Sequence, residues 1–364
     1  MNMASSGGGT TPRDTHKLLV VRLGSMGDVI HALPAVAALR QAFPNAKIDW
    51  VIEERWAELL CAPSAGHSGP LSPQRPLVDS VHTVNTFEWR SNLLSSRTRR
   101  EVTEFKRTLR TAKYDAAIDF QGALKSAVIA RWSKAHAIFG FAAPREKLAR
   151  RFYSQNIQAC GTHIVEQNLS LAESFAQQKL KMPVALLPHD EGAEQKMQQW
   201  LEEHKISRFA LLNPGAGWGA KQWPTERYGQ VAKQLAADGM KCLINFGPRE
   251  EALAKTVQQE SRETAVPVNC SITELIALTR LASLFIGGDT GPMHLAASLN
   301  IPVVAIFGPT DPARNGPFVT RNVVLRNSSS TTSYSHHGNA DEGLLQIGAQ
   351  EVLAAVRKLT GSNA

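Results

Sequence analysis

The side chains with the clearest chemical potential follow glycine-containing turns. Asp28 comes directly after such a turn near the N-terminus, and Lys221 follows a loop in which three of five residues are glycine. Asp289 and His294 flank Thr290-Gly291-Pro292, which opens an amphipathic helix. A carboxylate at a helix start can accept the proton of a hydroxyl group, whereas a lysine and free backbone N–H groups bind phosphate. The pattern indicates a proton acceptor in one half of the chain and an anion site in the other.

Each of these residues also has a purely structural interpretation. Asp28 could stabilise its helix as a first-turn acid, because a carboxylate there interacts favourably with the helix dipole. Lys221 could be a surface lysine, and Asp289 and His294 could cap and pack their helix. The later loop Gly308-Pro309-Thr310-Asp311-Pro312 favours a functional interpretation, since it would overhang the same sheet edge as Asp289.

Several common catalytic signatures do not occur in the sequence. An Asp-x-Asp pair, the usual sign of a divalent cation on a nucleotide diphosphate, is missing, so Lys221 and backbone amides would have to neutralise the phosphates themselves. The pair Gly24 and Gly27 lacks the third glycine of a dinucleotide-binding fingerprint. There is no P-loop and no Gly-x-Ser-x-Gly elbow. The sequence thus predicts no metal ion and gives little support to a nicotinamide-dependent dehydrogenase.

Length and composition are typical of a globular protein with two domains. The chain has 364 residues, of which 43% are hydrophobic and 20% charged, which excludes a disordered or fibrous protein. A net charge of +8 is compatible with nucleic acid, an anionic membrane surface or a phosphorylated substrate. Four widely spaced cysteines favour neither a zinc site nor a disulfide framework. No apolar run is long enough to span a bilayer, so we expect a cytoplasmic protein with a disordered tail at residues 1–16.

Strand and helix patterns alternate along the chain in two similar halves. Buried strand patterns end in glycine turns at Lys17–Val21 and Tyr114–Phe120 in the first half, and at Phe209–Asn213 and Leu284–Ile286 in the second. This alternation predicts an α/β fold with two doubly wound parallel-sheet domains that face each other across a cleft. We expect a first domain at residues 17–183, a linker at 184–205, a second domain at 206–345 and a final helix within 346–364.

A strongly basic segment lies between two predicted strands of the first half. Its arginines include Arg90, Arg97 and Arg100, and they surround a helical pattern that ends near Arg110. This face either is simply solvated or binds an anionic partner. Lys125 stands at the start of the next predicted helix, where it could join an anion-binding surface.

Three motifs in this order resemble one protein family. SMGDVIHALPAVAALR begins at Ser25, NPGAGWGAKQWP at Asn213 and GDTGPMHLAASLNIPVVAIFGPTDPAR at Gly288, and together they are similar to the ADP-heptose lipopolysaccharide heptosyltransferases of glycosyltransferase family 9. The first motif is more similar to the first heptosyltransferase than to the second, whereas the glycine-rich loop lacks the threonines of the first enzyme. The resemblance implies a GT-B fold of two Rossmann-like domains. It places the acceptor on the N-terminal domain and the nucleotide sugar on the C-terminal domain, with the last helix crossing back to the N-terminal domain.

The resemblance also implies roles for individual residues. Asp28 would be the catalytic base, Lys221 would hold the donor diphosphate, and either Glu250 or Glu251 would meet the adenosine ribose. The other donor-binding residues that it implies are Gly217, Asp289, Thr290, Gly291 and His294. The residues expected to bind the acceptor are Ser25, Gly27, Lys125, Arg90, Arg97 and Arg100.

The implied reaction is inverting and requires neither a metal ion nor another cofactor. Asp28 would deprotonate an acceptor hydroxyl, which would attack the anomeric carbon of ADP-L-glycero-D-manno-heptose while ADP leaves towards Lys221. The implied acceptor is Kdo on lipid A, met from the cytoplasm by peripheral contact with the anionic inner membrane, and no nucleic acid is involved. Two alternatives stay open: a different sugar or acceptor, as in heptosyltransferase II, and a non-catalytic nucleotide-sugar-binding protein.

Overall fold

The N-terminal domain is built on six parallel strands. The computed structural model describes residues 16–92, 94–333 and 341–361, so the predicted tail, apart from His16, lies outside the described residues. The strands are β1 (Lys17–Val21), β2 (Lys47–Glu53), β3 (Ser80–Val84), β4 (Ala116–Asp119), β5 (Ala137–Phe141) and β6 (Gln155–Ile157). The helices are α1 (Met26–Ala42), α2 (Thr86–Ser91), α3 (Ser96–Thr111), α4 (Leu124–Trp132) and α5 (Ile164–Ala176). The strand order is β3-β2-β1-β4-β5-β6.

The C-terminal domain repeats this arrangement after a first helix, α6 (Glu191–Glu203). Its strands are β7 (Phe209–Asn213), β8 (Lys241–Asn245), β9 (Ala265–Val268), β10 (Leu284–Gly288), β11 (Val303–Phe307) and β12 (Asn322–Arg326). The remaining helices are α7 (Thr225–Ala237), α8 (Glu251–Glu260), α9 (Ile272–Leu281), α10 (Gly291–Ser298), α11 (Pro312–Asn315), α12 (Glu342–Gln346) and α13 (Ala349–Thr360). The order is β12-β11-β10-β7-β8-β9, the same winding as in the first sheet.

The strand order explains where a ligand can bind. In each sheet the winding reverses direction beside the first strand, between β1 and β4 and between β7 and β10. At such a switch point the connecting segments leave to opposite faces of the sheet and open a crevice at the carboxyl ends of the strands. Asp28 follows β1 and Asp289 follows β10, so both predicted acids lie at switch points. The predicted fold of two doubly wound parallel sheets is confirmed.

The two domains touch through the first turns of α1 and α10. A Cβ atom on Gly27 would come within 2.5 Å of Cδ2 of His294, and one on Gly291 would come within 2.7 Å of the Met26 side chain. Real Cβ atoms do not approach other atoms so closely, so both glycines are needed for the close packing of the two helices.

The connection between the domains is shorter and begins earlier than the predicted linker at 184–205. Residues 177–190 contain no helix or strand, whereas α6 packs on α9 of the second domain. The buried residues Ala193, Met197 and Leu201 repeat at helical spacing, which gives α6 an apolar face to bury there.

The prediction that the last helix crosses back to the N-terminal domain is wrong for the described part of that helix. The main contacts of α13 are with α7, β11 and β12 of the C-terminal domain. Its apolar face, with Val352, Leu353 and Val356, completes the core on one side of the second sheet. The chain is fixed just before the helix, because the backbone oxygen of Ile347 accepts hydrogen bonds from Nε1 of Trp223 at 2.9 Å and Nη1 of Arg227 at 2.7 Å.

Candidate active site

Asp28 lies in the first turn of α1, and 34% of its side chain is exposed. Its Oδ1 atom forms an ion pair with Nη2 of Arg22 at 2.6 Å. Its Oδ2 atom accepts hydrogen bonds from the backbone N–H and the Oγ–H of Ser25, at 3.0 and 3.2 Å. The carboxylate therefore holds the start of the helix together and is also open to a ligand, so the structural and functional interpretations are both compatible with its position.

The surroundings of Asp28 keep its carboxylate ionised. Burial acts to raise the pKa of Asp28, but the Arg22 charge, the hydrogen bonds from Ser25 and the charge of Arg145 together hold that pKa below its ordinary value. Arg22 is itself fixed, because it is buried at the end of β1 and its Nη1 donates to the backbone oxygen of Phe120. The positive charge around Asp28 favours an anionic ligand.

Lys221, Asp289 and His294 form a connected group in the C-terminal domain. Lys221 follows β7 in a short 3-10 helix (Gly219–Lys221), and its Nζ lies 2.5 Å from Oδ2 of Asp289. The other carboxylate oxygen, Oδ1, lies 3.1 Å from Nε2 of His294. Burial acts to raise the pKa of Asp289, but the hydrogen bond from His294 and the charge of Lys221 hold that pKa well below its usual range. The lysine Nζ also lies 4.5 Å from the ring centroid of Trp218.

The glycine-rich loop after β7 lies against Glu250. A Cβ atom on Gly215 would come within 2.2 Å of the Glu250 carboxylate, whose Oε2 accepts a hydrogen bond from the Gly247 N–H at 2.7 Å. Glu251, by contrast, is exposed in the first turn of α8. Gly217 is exposed, and a Cβ atom there would meet nothing within 4 Å. Glu250 is therefore the glutamate beside the loop, and the backbone at Gly217 is open to a ligand.

The start of α10 supplies the remaining predicted donor-site residues. Thr290 precedes the helix, and its Oγ1 donates to the Gly288 oxygen at 3.3 Å and accepts from Nδ2 of Asn213 at 3.5 Å. Gly291 is the contact with Met26 of the other domain. The positive end of the α10 dipole and the charge of Lys221 are features that attract an anion, although Pro292 has no N–H and the N–H groups of Met293 and His294 already donate to the Thr290 oxygen.

The predicted acceptor residues do not form one cluster. Ser25 lies beside Asp28, whereas Gly27 is buried against His294 and contributes to domain packing instead. Lys125 is half-exposed at the start of α4, with its Nζ 3.3 Å from Oγ1 of Thr86 and 3.6 Å from Oε1 of Glu53. The exposed arginines lie farther along the chain on α2 and α3: Arg90, Arg97 and Arg100. Within the part of the chain that the structure describes, none of the three forms an ion pair with Asp28.

Two residues close to Asp28 were missed by the sequence analysis. Arg22 pairs with Asp28, and a charged residue at the end of a run of buried strand residues was a usable signal. His31, one turn after Asp28, places Nε2 3.0 Å from Nδ1 of His294. No sequence signal could have found this pair, because the two histidines are 263 positions apart and on different domains.

Three further features of the described residues bear on the kind of ligand or surface that the protein could meet. Among residues 16–92, 94–333 and 341–361, no group of three or more His, Cys, Asp or Glu side chains could hold a metal ion. Over the same residues, no helix is both long and apolar enough to pass through a bilayer. A cavity of 360 Å³ lies between the domains, with His31 and His294 in its wall but neither Asp28 nor Lys221.

Chemically, the site combines an ionised carboxylate on one domain with a lysine and a helix start on the other. Gly27 and Met26, which are next to Asp28 in the chain, pack on His294 and Gly291 of the helix that follows Asp289. A substrate that spans the two switch points could therefore lose a proton at one end and an anionic leaving group at the other.

Comparison with known proteins identifies one matching family and several related sequences. The family model described as glycosyltransferase family 9 (heptosyltransferase) matches residues 102–343. Lipopolysaccharide heptosyltransferase 1 of Pseudomonas aeruginosa is 31% identical over 311 residues, which cover 83% of this chain and 81% of that protein. Lipopolysaccharide heptosyltransferase 1 of Escherichia coli K12 is 30% identical over 318 residues, covering 85% and 93%.

Solved structures share the fold. The Escherichia coli heptosyltransferase WaaC with ADP superposes with a TM-score of 0.75 at 28% identity, covering 94% of this chain and 99% of that one. The same enzyme with ADP-2-deoxy-2-fluoro heptose gives a TM-score of 0.72 at 28% identity, covering 94% and 99%. A family 9 glycosyltransferase from Veillonella parvula, 22% identical, has a TM-score of 0.78 over 95% of this chain and 98% of that chain, which supports the fold alone.

Proposed function

The chain belongs to glycosyltransferase family 9, the heptosyltransferase family, and from that premise we propose that it moves a heptose from ADP-heptose to Kdo of the lipopolysaccharide inner core. The observation that carries the proposal is the contact between α1 and α10, which sets the carboxylate of Asp28 beside the domain that holds Lys221 and Asp289. In this reaction Asp28 takes the proton of the acceptor hydroxyl as the oxygen attacks the anomeric carbon. Attack opposite to the leaving diphosphate inverts the configuration of that carbon.

The donor diphosphate binds at Lys221 and the start of α10 in this proposal. Negative charge on the diphosphate grows as the glycosidic bond breaks, and a lysine with backbone N–H groups stabilises that charge most strongly in the transition state. Glu250, which lies against the glycine-rich loop, accepts hydrogen bonds from the ribose, whereas Glu251 faces solvent. These groups need no metal ion to balance the charge, and we expect EDTA to leave turnover unchanged.

The acceptor carries acidic sugars and a lipid, so we propose that the protein works in the cytoplasm at the anionic inner-membrane surface. Two large apolar side chains next to the basic helix α3 support membrane contact: Phe87 is 72% exposed and Leu94 is 84% exposed. Arg99 and Arg100 on α3 are exposed as well. Apolar side chains beside arginines suit a surface that presents both lipid phosphates and acyl chains.

Membrane contact is tested by sedimentation with phosphatidylglycerol vesicles and with phosphatidylcholine vesicles. We expect binding to the anionic vesicles only, and a several-fold weaker binding of the double variant Phe87→Ser, Leu94→Ser. Val184→Ser is the matched control, since Val184 is also exposed, at 75%, but lies in the interdomain connection. Equal binding of the three proteins would contradict a role for this surface.

The transfer reaction itself is tested by incubating the purified protein with ADP-heptose and Kdo-lipid A. We expect release of ADP and an acceptor whose mass has grown by one heptose unit. ADP release without a heavier acceptor would indicate hydrolysis, and neither product would indicate a protein that only binds nucleotide sugars or that uses another acceptor. A lipid A acceptor that already carries one heptose separates the heptosyltransferase I and II activities.

A further inference from the structure

One interdomain contact has no part in the reaction as proposed so far. His31 on α1 and His294 on α10 are both buried, with 6% and 7% of their surfaces exposed, and their ring centroids are 4.1 Å apart. Nε2 of His31 lies 3.0 Å from Nδ1 of His294. His31 stands one helical turn after Asp28, and His294 binds the same carboxylate that holds Lys221. The contact thus connects the helix of the base with the anion site.

The hydrogen bonds fix the direction of proton donation along this chain. Asp289 is ionised and can only accept, so Nε2 of His294 carries the proton that Oδ1 of Asp289 receives. We place the proton of His31 on Nε2, which then donates to Nδ1 of His294. The opposite direction would leave a proton on Nδ1 of His31, a buried atom with no partner among the described residues, and an unpaired buried N–H is costly.

The chain has a consequence for donor binding. Asp289 holds Lys221 in the structure, so a diphosphate has to compete with this carboxylate for the lysine. When Lys221 turns to the phosphates, the N–H of His294 is the partner that the described residues leave to the buried Asp289 carboxylate. That N–H stays in place only while His294 keeps its ring orientation, and the bond from His31 fixes that orientation.

We propose that His31 is a positioning residue for the donor, which acts across the domain contact by holding His294 in the orientation that keeps Asp289 satisfied when Lys221 binds diphosphate. This inference rests on the proposed nucleotide-sugar function and adds a role that the reaction scheme does not require. His31 belongs to the domain that carries Asp28. The same hydrogen bond therefore also positions the base next to the bound donor.

Two variants of the full chain test the proposal. His31→Leu removes the donor to His294, whereas His31→Gln keeps an N–H group at a similar distance along the side chain. By isothermal titration calorimetry, we expect ADP to bind about tenfold more weakly to His31→Leu, because a buried acceptor is left unpaired, and within about twofold of the unmodified protein to His31→Gln. In steady-state kinetics, His31→Leu should raise KM for ADP-heptose more than KM for the acceptor.

His163→Gln is the matched control. His163 is buried near His31, with ring centroids 5.7 Å apart, but its Nε2 donates to the Gly316 backbone oxygen and it is outside the chain to Asp289. ADP affinity should be unchanged in this variant. Unchanged affinity in His31→Leu, or an equal loss in the Leu and Gln variants, would overturn the proposal. Absence of ADP binding to the unmodified protein would contradict the nucleotide-sugar function itself.

A second measurement is made on the unmodified protein and uses a variant only to assign signals. In ¹⁵N-labelled histidine, the ring nitrogen shifts distinguish a protonated Nε2 from a protonated Nδ1. We expect His31 and His294 of the unmodified protein both to carry the proton on Nε2, with the His31 signals assigned by their loss in His31→Gln. A proton on Nδ1 of His31 would overturn the proposal, since the bond to His294 would then run in the opposite direction.

Discussion

The Nη2 atom of Arg22 lies 2.6 Å from Oδ1 of Asp28, so the carboxylate that we assign as the base is paired with a buried arginine. A paired carboxylate is a weaker base than a free one, because the positive charge stabilises its ionised form. The pairing keeps Asp28 ionised over a wide range of pH. It also means that an anionic acceptor would meet a positively charged surface around Asp28.

The first prediction concerns the pH dependence of Arg22→Met. In the unmodified protein burial acts to raise the pKa of Asp28, and Arg22 is the largest influence that lowers it. Without the arginine charge, less remains to offset the effect of burial. The pKa of Asp28 therefore rises, and the carboxylate becomes protonated at a higher pH. The acidic limb of a plot of kcat/KM against pH should therefore move to higher pH, while activity well above the limb changes less.

Arg97→Met is the control for this profile. Arg97 is exposed and pairs with Glu101 on α3 at 2.8 Å, away from Asp28. The acidic limb of the Arg97→Met profile should coincide with that of the unmodified protein. A limb that also stays in place in Arg22→Met would show that the titrating base is not Asp28.

The second prediction concerns Lys221→Ala. The variant loses the cation that meets the diphosphate, and among the described residues it leaves the buried Asp289 with the hydrogen bond from His294. We expect both a weaker affinity for ADP and a lower kcat, each by about tenfold or more, since charge-assisted bonds to phosphate are worth roughly 1.5–3 kcal/mol. Calorimetry and steady-state rates measure the two effects. Lys233→Ala, an exposed lysine on α7, should show neither, and an unaltered Lys221→Ala enzyme would refute the diphosphate role.

The third prediction separates the two neighbouring glutamates. Glu250 lies against the glycine-rich loop, and Glu251 is exposed. Glu250→Gln should weaken ADP binding by about 3- to 30-fold, because hydrogen bonds from the ribose to a charged acceptor are lost, and Glu251→Gln should leave it unchanged. Titration with adenosine diphosphate and with its 2′,3′-dideoxy analogue checks the cause. The analogue should bind the two variants equally, and a loss confined to Glu251→Gln would reverse the assignment.

Much of the fold was accessible from the sequence because each half alternates buried strands with amphipathic helices. The strands β1, β7 and β10 and the turns after them were predicted where they occur, and those turns carry Asp28, Lys221 and Asp289. Three strands lack a run of buried residues that a sequence pattern could reveal. β6 has only three residues, β9 contains Pro267, and β12 is an edge strand without a fully buried residue.

Other features depend on contacts between distant parts of the chain, which periodicity does not contain. The spacing of apolar residues predicts that α13 has a buried face, but it does not say which surface that face packs on. The resemblance placed this helix on the N-terminal domain, whereas it packs on the C-terminal domain. Gly27 was assigned to the acceptor because of its motif, whereas the structure shows it packed on His294. The pair of His31 and His294 could be recognised only once the two domains were placed together.

The most direct test of the account compares Asp28→Ala with the unmodified protein in two measurements on the same preparation. We predict that ADP binds to both with nearly the same affinity, since Asp28 belongs to the other domain, while transfer of heptose to the acceptor falls by about 10²–10⁴-fold, the usual contribution of a general base. Transfer at an undiminished rate by Asp28→Ala would contradict the claim that a base on the first domain and a diphosphate site on the second act on one sugar.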